Sequence, residues 1–304
     1  ALQDEVRAPP LPARQRQRPH VAARLPGLLR GAAGLRSELR ASRTDRHRQQ
    51  HGLVFGARHR LSGGRGRPLR DLRPAQALRA AVEAAYDRCK EEQGGKNADY
   101  IPYLAGVPST LFGIAACLPD GDVVAVGDTD YVFGIESVSK VPTAILAMNQ
   151  YGAKEILDRI GADATGLPFN SIMALLLEKE HPSTPLVNAG AISACSMIRP
   201  TGDADGKWRA IVSFVADLTG SEVEVIDELY RSETATNFNN KSIAWLLKNY
   251  ARIYDDPELS LDLYTRQCSL GVTARQLAIM AATIASGGVN PLTRKEVFKP
   301  GLAP

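Results

Sequence analysis

Histidine is nearly missing from the part of this 304-residue sequence that carries enough apolar residues to fold. Of five histidines, His20, His47, His51 and His59 fall near the start, and only His181 lies later. It sits in a Glu-Lys-Glu-His-Pro stretch that reads as a solvated loop, so a Ser-His-Asp or Cys-His arrangement would rest on it alone. Cysteine is also scarce. Cys89, Cys117, Cys195 and Cys268 are widely spaced, with no Cys-x-x-Cys pair. That pattern fits free thiols in a reducing, cytoplasmic compartment better than a disulfide framework, and it argues against zinc. No apolar run approaches the ~20 residues of a membrane span, and no basic start leads into a secretory apolar stretch. No glycine-rich phosphate loop occurs, since Gly63-Gly64 lacks a following Lys-Ser/Thr. These absences predict chemistry done by side chains alone, with no metal, no cofactor, no membrane and no nucleic acid.

What is present is unevenly placed. Residues 1–79 hold 18 Arg, no Lys and five acids (Asp4, Glu5, Glu38, Asp45 and Asp71), a balance of +13. Removing them from the chain's 37 basic and 33 acidic residues leaves 19 and 28, a balance of −9 for residues 80–304. An acidic folded part is a poor nucleic-acid binder. The basic part holds one aromatic, Phe55, and no sustained apolar period, so it buries too little to offset the entropy of ordering. Residues 1–76 are therefore expected to be disordered or mis-predicted, and extended. An RNA-binding arm or a transit peptide are the alternatives, the latter weakened by having only Ser37, Ser42 and Ser62. Arginine-rich translation upstream of a true gene start is the preferred reading. The chain begins with Ala, which fits a fragment or a processed end.

Residues 77–304 read as the catalytic domain. A helix is predicted over Ala77–Gln93. Strands follow at Leu111–Leu118 and Val123–Val126, joined by Pro119-Asp120-Gly121-Asp122, a hairpin signal. A third strand ends near Ile135. Helices are then expected at Val138–Tyr151, Ser171–Glu178, Val187–Ile198, Lys207–Leu218 and Lys241–Tyr250. Thr273-Ala-Arg-Gln276 is a capping box for a helix ending at Gly287-Gly288. Strands first and helices after predict an α+β fold, with an antiparallel sheet flanked by helices and a helical subdomain beside it. The sheet looks short of its last strands.

A hydrolase without histidine needs another base, and Ser137-Val-Ser-Lys140 offers one. Positions i and i+3 share a helix face. Ser137 would follow a strand at a helix N-terminus, with its backbone N–H free to meet an oxyanion. A free lysine has a pKa of ~10.4 and a useful base sits near 7–8, a difference worth roughly 4 kcal/mol that burial must supply. Taken alone, the spacing also fits a Ser N-cap beside a solvated lysine.

The ordered blocks around this motif resemble the serine-dependent glutaminases, which share the fold of the serine β-lactamases and penicillin-binding proteins. They run from about Tyr86 to Val297: Gly95-Lys-Asn-Ala-Asp-Tyr100-Ile-Pro102, Gly127-Asp128-x-x-Tyr-x-Phe133, Glu136-Ser137-Val-Ser-Lys140, Thr165-Gly-Leu-Pro-Phe-Asn170, Pro185-Leu-Val-Asn188-Ala-Gly-Ala-Ile192, Ser232-Glu233 with Asn240, Tyr264-Thr-Arg-Gln-Cys268-Ser269, and Ala281 to Gly288. The resemblance implies hydrolysis of L-glutamine by water to L-glutamate and ammonia, through an acyl-enzyme on Ser137 with Lys140 as base. It implies that Tyr100, Asn188, Glu233, Asn240 and Tyr264 hold the amino-acid head of the substrate. A free ammonium calls for the Glu233 carboxylate, and a free carboxylate for neutral Asn and Tyr donors. Without it, Asn188 reads as a helix cap, Tyr264 as core and Glu233 as a solvated loop acid. The family also implies a homo-oligomer, dimer or tetramer.

The family pattern continues past the last matched block with a Tyr and a Lys-Ser-Gly-Val-x-Gly-Gly segment that this sequence does not contain. A C-terminally truncated catalytic domain is therefore expected, with one wall of the cleft open and bordered by an unpaired sheet edge. An inactive remnant and a β-lactamase-like serine hydrolase are the alternatives.

Overall fold

The computed structural model describes residues 74–177 and 181–302; the expectations for residues 1–73 lie outside them. Helix α1 (Pro74–Cys89) opens on a proline, whose missing N–H costs nothing in a first turn, and ends with Arg88 against its negative pole. It packs on a hairpin of β1 (Gly113–Cys117) and β2 (Val123–Gly127), in antiparallel register from Gly113↔Gly127 to Cys117↔Val123. The expected Asp-Gly turn joins them: Gly121 has φ +99°, and the Leu118 N–H donates to the Asp122 carbonyl at 2.9 Å. Tyr86 stacks on Phe112, with ring centroids 5.4 Å apart.

The third strand does not extend this hairpin. Strand β3 (Phe133–Gly134) pairs with β4 (Gly271–Val272), more than 130 residues later, in a second two-stranded ladder. The chain turns away from β2 at Asp128, whose carboxylate accepts from the Phe112 N–H at 2.9 Å. Two-residue strands with a distant partner leave no alternating pattern to read.

Helices make up the rest. The core is α6 (Asn188–Met197), in which all ten residues are buried. Its small residues let neighbours approach: a Cβ at Gly190 would stand 1.8 Å from the Thr184 carbonyl oxygen. Around it pack α3 (Lys140–Tyr151), α9 (Phe238–Asn249) and α10 (Pro257–Cys268), while α7 (Ala204–Thr219) sits against α3, α10 and α11 (Ala274–Ala285). Among the described residues three apolar clusters fill the spaces, one around Ile198, Leu218 and Leu263, one around Ile192, Ile243 and Leu247, and one around Ile135, Val215 and Leu270. The α11 capping box is formed as expected. The Thr273 hydroxyl accepts from the Gln276 backbone N–H at 3.2 Å, and the Gln276 side-chain Oε1 accepts from the Thr273 N–H at 2.8 Å.

Four helices escape the sequence reading: α2 (Pro102–Ala105), α4 (Ala153–Arg159), α8 (Asp227–Thr236) and α10. Helix α5 (Ile172–Leu177) is the one expected from Ser171. His181 is a further correction. It is half-buried, its Nδ1 has no partner, and it packs under Gly161, where a Cβ would meet that atom at 2.6 Å. Among the described residues no helix is long and apolar enough to cross a membrane.

Candidate active site

The Ser137–Lys140 corner forms where β3 ends. Glu136 takes φ +50°, a left-handed conformation that is uncommon for a side-chain-bearing residue. Residues Glu136–Ser139 then form one 3-10 turn before α3 begins at Lys140. This corrects the expectation that Ser137 starts the α-helix. Pro142 explains the difference: it has no N–H to give the Val138 carbonyl, so the α pattern cannot start a turn earlier. Ser137 remains exposed, Lys140 is 3% exposed, and the Lys140 ammonium donates to Ser137 Oγ at 2.5 Å. Burial lowers the lysine pKa, while Glu233 and Glu136 pull it upward. The rings of Tyr264 and Phe169 face Lys140 Nζ at 5.6 and 5.7 Å. Among the described residues no backbone carbonyl accepts the Ser137 N–H.

Ser137 opens into a cleft of about 440 Å³, and five other singled-out residues line it: Tyr100, Asn188, Glu233, Asn240 and Tyr264. They come from the segment before α2 and from α6, α8, α9 and α10. Lys140 lies behind Ser137 rather than in the lining. Asn188 is at the heart of one wall. Its Nδ2 donates to Asn240 Oδ1 at 2.9 Å, and its Oδ1 accepts from the Tyr264 hydroxyl at 3.1 Å. So Asn188 is not the helix cap that its bland reading made it: Val187 holds the cap position without a side-chain bond, and Asn188, the first helical residue, uses its side chain to tie three helices together. Tyr264 is 2% exposed, and burial holds its hydroxyl protonated, well above the usual tyrosine range.

Glu233 is not a loop acid. It is 7% exposed on α8, with Oε2 buried and unpartnered. Burial, and then the neighbouring Glu136, push its pKa up to about 8. Helix α8 is anchored by the Tyr103 N–H, which donates to Ser232 Oγ at 3.1 Å, and by the Tyr230 hydroxyl, which bonds the Asp262 carboxylate of α10. Tyr100 stands at the mouth, 63% exposed.

The cleft also contains residues the sequence reading gave no role, among them Glu136, Phe169, Asn170, Asn237 and Cys268. Their signal was position: Glu136, Phe169, Asn170 and Cys268 fall inside the quoted blocks, and Asn237 between Glu233 and Asn240. All four cysteines are free. The lining includes no strand residue, so the unpaired edge expected to border the cleft is not among the residues that form it. Among the described residues no group of three or more metal-binding side chains occurs.

The family model for glutaminase matches residues 95–303. The chain belongs to the glutaminase family. It is 71% identical to the glutaminase of Bacteroides thetaiotaomicron over 227 residues, 75% of this chain and 71% of that one. Against the Bordetella avium glutaminase it is 49% identical over 227 residues, 75% and 72% of the two chains. Among solved structures, the probable glutaminase YbaS aligns at a TM-score of 0.71 and 46% identity, over 73% of this chain and 72% of that one. The probable glutaminase of Bacillus subtilis aligns at 0.63 and 28%, over 75% and 70%. These glutaminases carry the serine β-lactamase-like fold, which agrees with the α+β expectation. Glutaminase identity makes L-glutamine and water the substrates, and the β-lactamase-like reading is set aside.

Proposed function

We propose that this glutaminase works through Ser137 as nucleophile and Lys140 as its general base. The observation that carries the reading is the 2.5 Å contact between Lys140 Nζ and Ser137 Oγ at the floor of the cleft. Burial lowers the lysine pKa, which raises the fraction of neutral amine able to take the hydroxyl proton. Ser137 Oγ attacks the side-chain amide carbon of glutamine as its proton passes to Lys140. The Ser137 N–H, which no backbone carbonyl among the described residues accepts, is available to help stabilise the oxyanion. Collapse breaks the carbon–nitrogen bond, with Lys140 returning the proton to the departing ammonia. Water, activated by the same amine, then cleaves the Ser137 ester to release glutamate.

Substrate recognition follows from the charges. Glu233, with a buried acceptor oxygen and no partner, receives the α-ammonium. Asn188, Asn240, Tyr264 and Tyr100 offer neutral donors for the α-carboxylate. Free thiols throughout support a cytoplasmic setting. Exposed Phe238 and Trp245 on α9 support association into a dimer or tetramer, which light scattering would read. The direct test is Ser137→Ala. Ammonia release from glutamine should fall by at least about 10³-fold with the fold retained; a wild-type rate would end the assignment.

A further inference from the structure

Glu233 accounts for one carboxylate in the cleft, but the cleft holds two. Glu136 lines it as well, and Glu136 Oε1, like Glu233 Oε2, is a buried oxygen without a hydrogen-bond partner. Buried carboxylate oxygens are rarely left unpaired in a folded protein, because each costs the desolvation of the group. Two in one cleft call for a cation there. Glu136 is also held in place at some expense. It adopts φ +50° directly before the nucleophile, a conformation that persists only where the surroundings enforce it.

Resting on the site reading above, we infer that Glu136 and Glu233 together form a two-carboxylate receptor for the substrate's α-ammonium. The pair selects free amino-acid amides over N-acylated ones, and its charge state is coupled to substrate binding.

The groups that face the pair are few. Lys140 on α3 draws both acids toward ionisation, and Tyr100, Tyr264 and Cys268 stand close as neutral groups. Burial dominates, so Glu136 rises to about 7 and Glu233 to about 8. Near neutral pH the empty pair therefore holds protons. An incoming ammonium favours the ionised acids and releases them, whereas N-acetyl-L-glutamine, with no charge on that nitrogen, does not. Affinity for glutamine should rise from pH 6 as binding no longer has to displace protons, and level off toward pH 9, where the substrate's own α-ammonium begins to lose its proton.

The experiment uses the full chain with Ser137→Ala, which binds without turnover, alone and combined with Glu136→Gln or Glu136→Asp. L-Glutamine and N-acetyl-L-glutamine are titrated calorimetrically at pH 6.5 in buffers of different ionisation enthalpy, and L-glutamine again at pH 9. The Ser137→Ala protein should release protons on binding glutamine. Adding Glu136→Gln should cut that release by half or more, flatten the pH dependence of Kd, and reduce preference for glutamine over its N-acetyl form roughly 10-fold at pH 9. Adding Glu136→Asp, which keeps the charge and tolerates a left-handed backbone, should preserve proton release. Unchanged release and preference with Glu136→Gln would overturn the two-carboxylate receptor while leaving Glu233 in place. Lost release with a folded Glu136→Asp protein would overturn it too. No glutamine binding by the Ser137→Ala protein would instead overturn the site reading, and this inference with it.

Discussion

On one wall of the cleft, Asn188, Asn240 and Tyr264 satisfy one another with hydrogen bonds of 2.9 and 3.1 Å. On the other, Glu136 and Glu233 each keep a buried oxygen with no partner. The first wall is positioned before a ligand arrives, its geometry fixed by three helices, while the second amide N–H of Asn188 and the amide of Asn240 remain to meet a carboxylate. The second carries unmet charge that burial opposes, which is why both acids sit far above the ordinary carboxylate range. A neutral wall can be preorganised at little cost, whereas a charged wall stores a penalty that a substrate cation relieves.

The sharpest way to break this comparison leaves both walls alone. Lys140→Met removes the base and keeps much of the buried volume. The rate of ammonia release should drop by about 10³-fold or more, as steady-state kinetics would show, and the two acids, no longer drawn toward ionisation by the amine, should hold their protons to higher pH. A smaller effect separates the walls. Glu233→Gln should raise the KM for glutamine about 10²-fold, through loss of a charged hydrogen bond. It should also make the protein more stable at high pH. A carboxyl whose folded pKa is raised to about 8 contributes stability that is whole at acid pH and lost as pH rises toward and through that value. The variant should therefore melt a few degrees above wild type at pH 9 and equally at pH 4. A differential melt at the two pH values checks this, and equal shifts at both would show that the penalty is not ionic.

Asn188→Ala tests the neutral wall and should behave in the opposite way. It leaves Tyr264 and Asn240 without their partner, at a cost of about 1–3 kcal/mol in stability that does not vary with pH. Chemical denaturation at pH 5 and pH 9 would show it. Smallest, and away from both walls, Thr273→Ala removes the α11 cap and should cost about 1 kcal/mol with kcat unchanged.

The same contrast explains what could be read in the sequence. The Ser137–Lys140 pair is local: three residues apart, after an apolar strand, it was visible from spacing and is found as a direct contact. The walls are not local. Helix α8, which carries Glu233, reads Asp-Glu-Leu-Tyr-Arg-Ser-Glu-Thr-Ala-Thr, and only Leu229 and Glu233 in it are buried, so no apolar stripe marks it. Helix α10, which carries Tyr264, did announce itself. Asp256 accepts from the Leu259 N–H at 2.9 Å and Pro257 fills the first position, an Asp-Pro start that the apolar pattern alone overlooked. Without the ordered family blocks, nothing in the chain would have joined Glu233 to Asn188. The β3–β4 pairing was out of reach for a simpler reason, since two residues per strand carry no period.

The central claim is that Ser137 becomes covalently acylated by glutamine, and rapid acid quench followed by peptide mass spectrometry reads it most directly. The full chain mixed with excess L-glutamine should yield a γ-glutamyl ester on the peptide containing Ser137, cleaved by hydroxylamine and absent from the Ser137→Ala variant. Ammonia release with no such ester, or an adduct on Cys268 instead, would contradict the account.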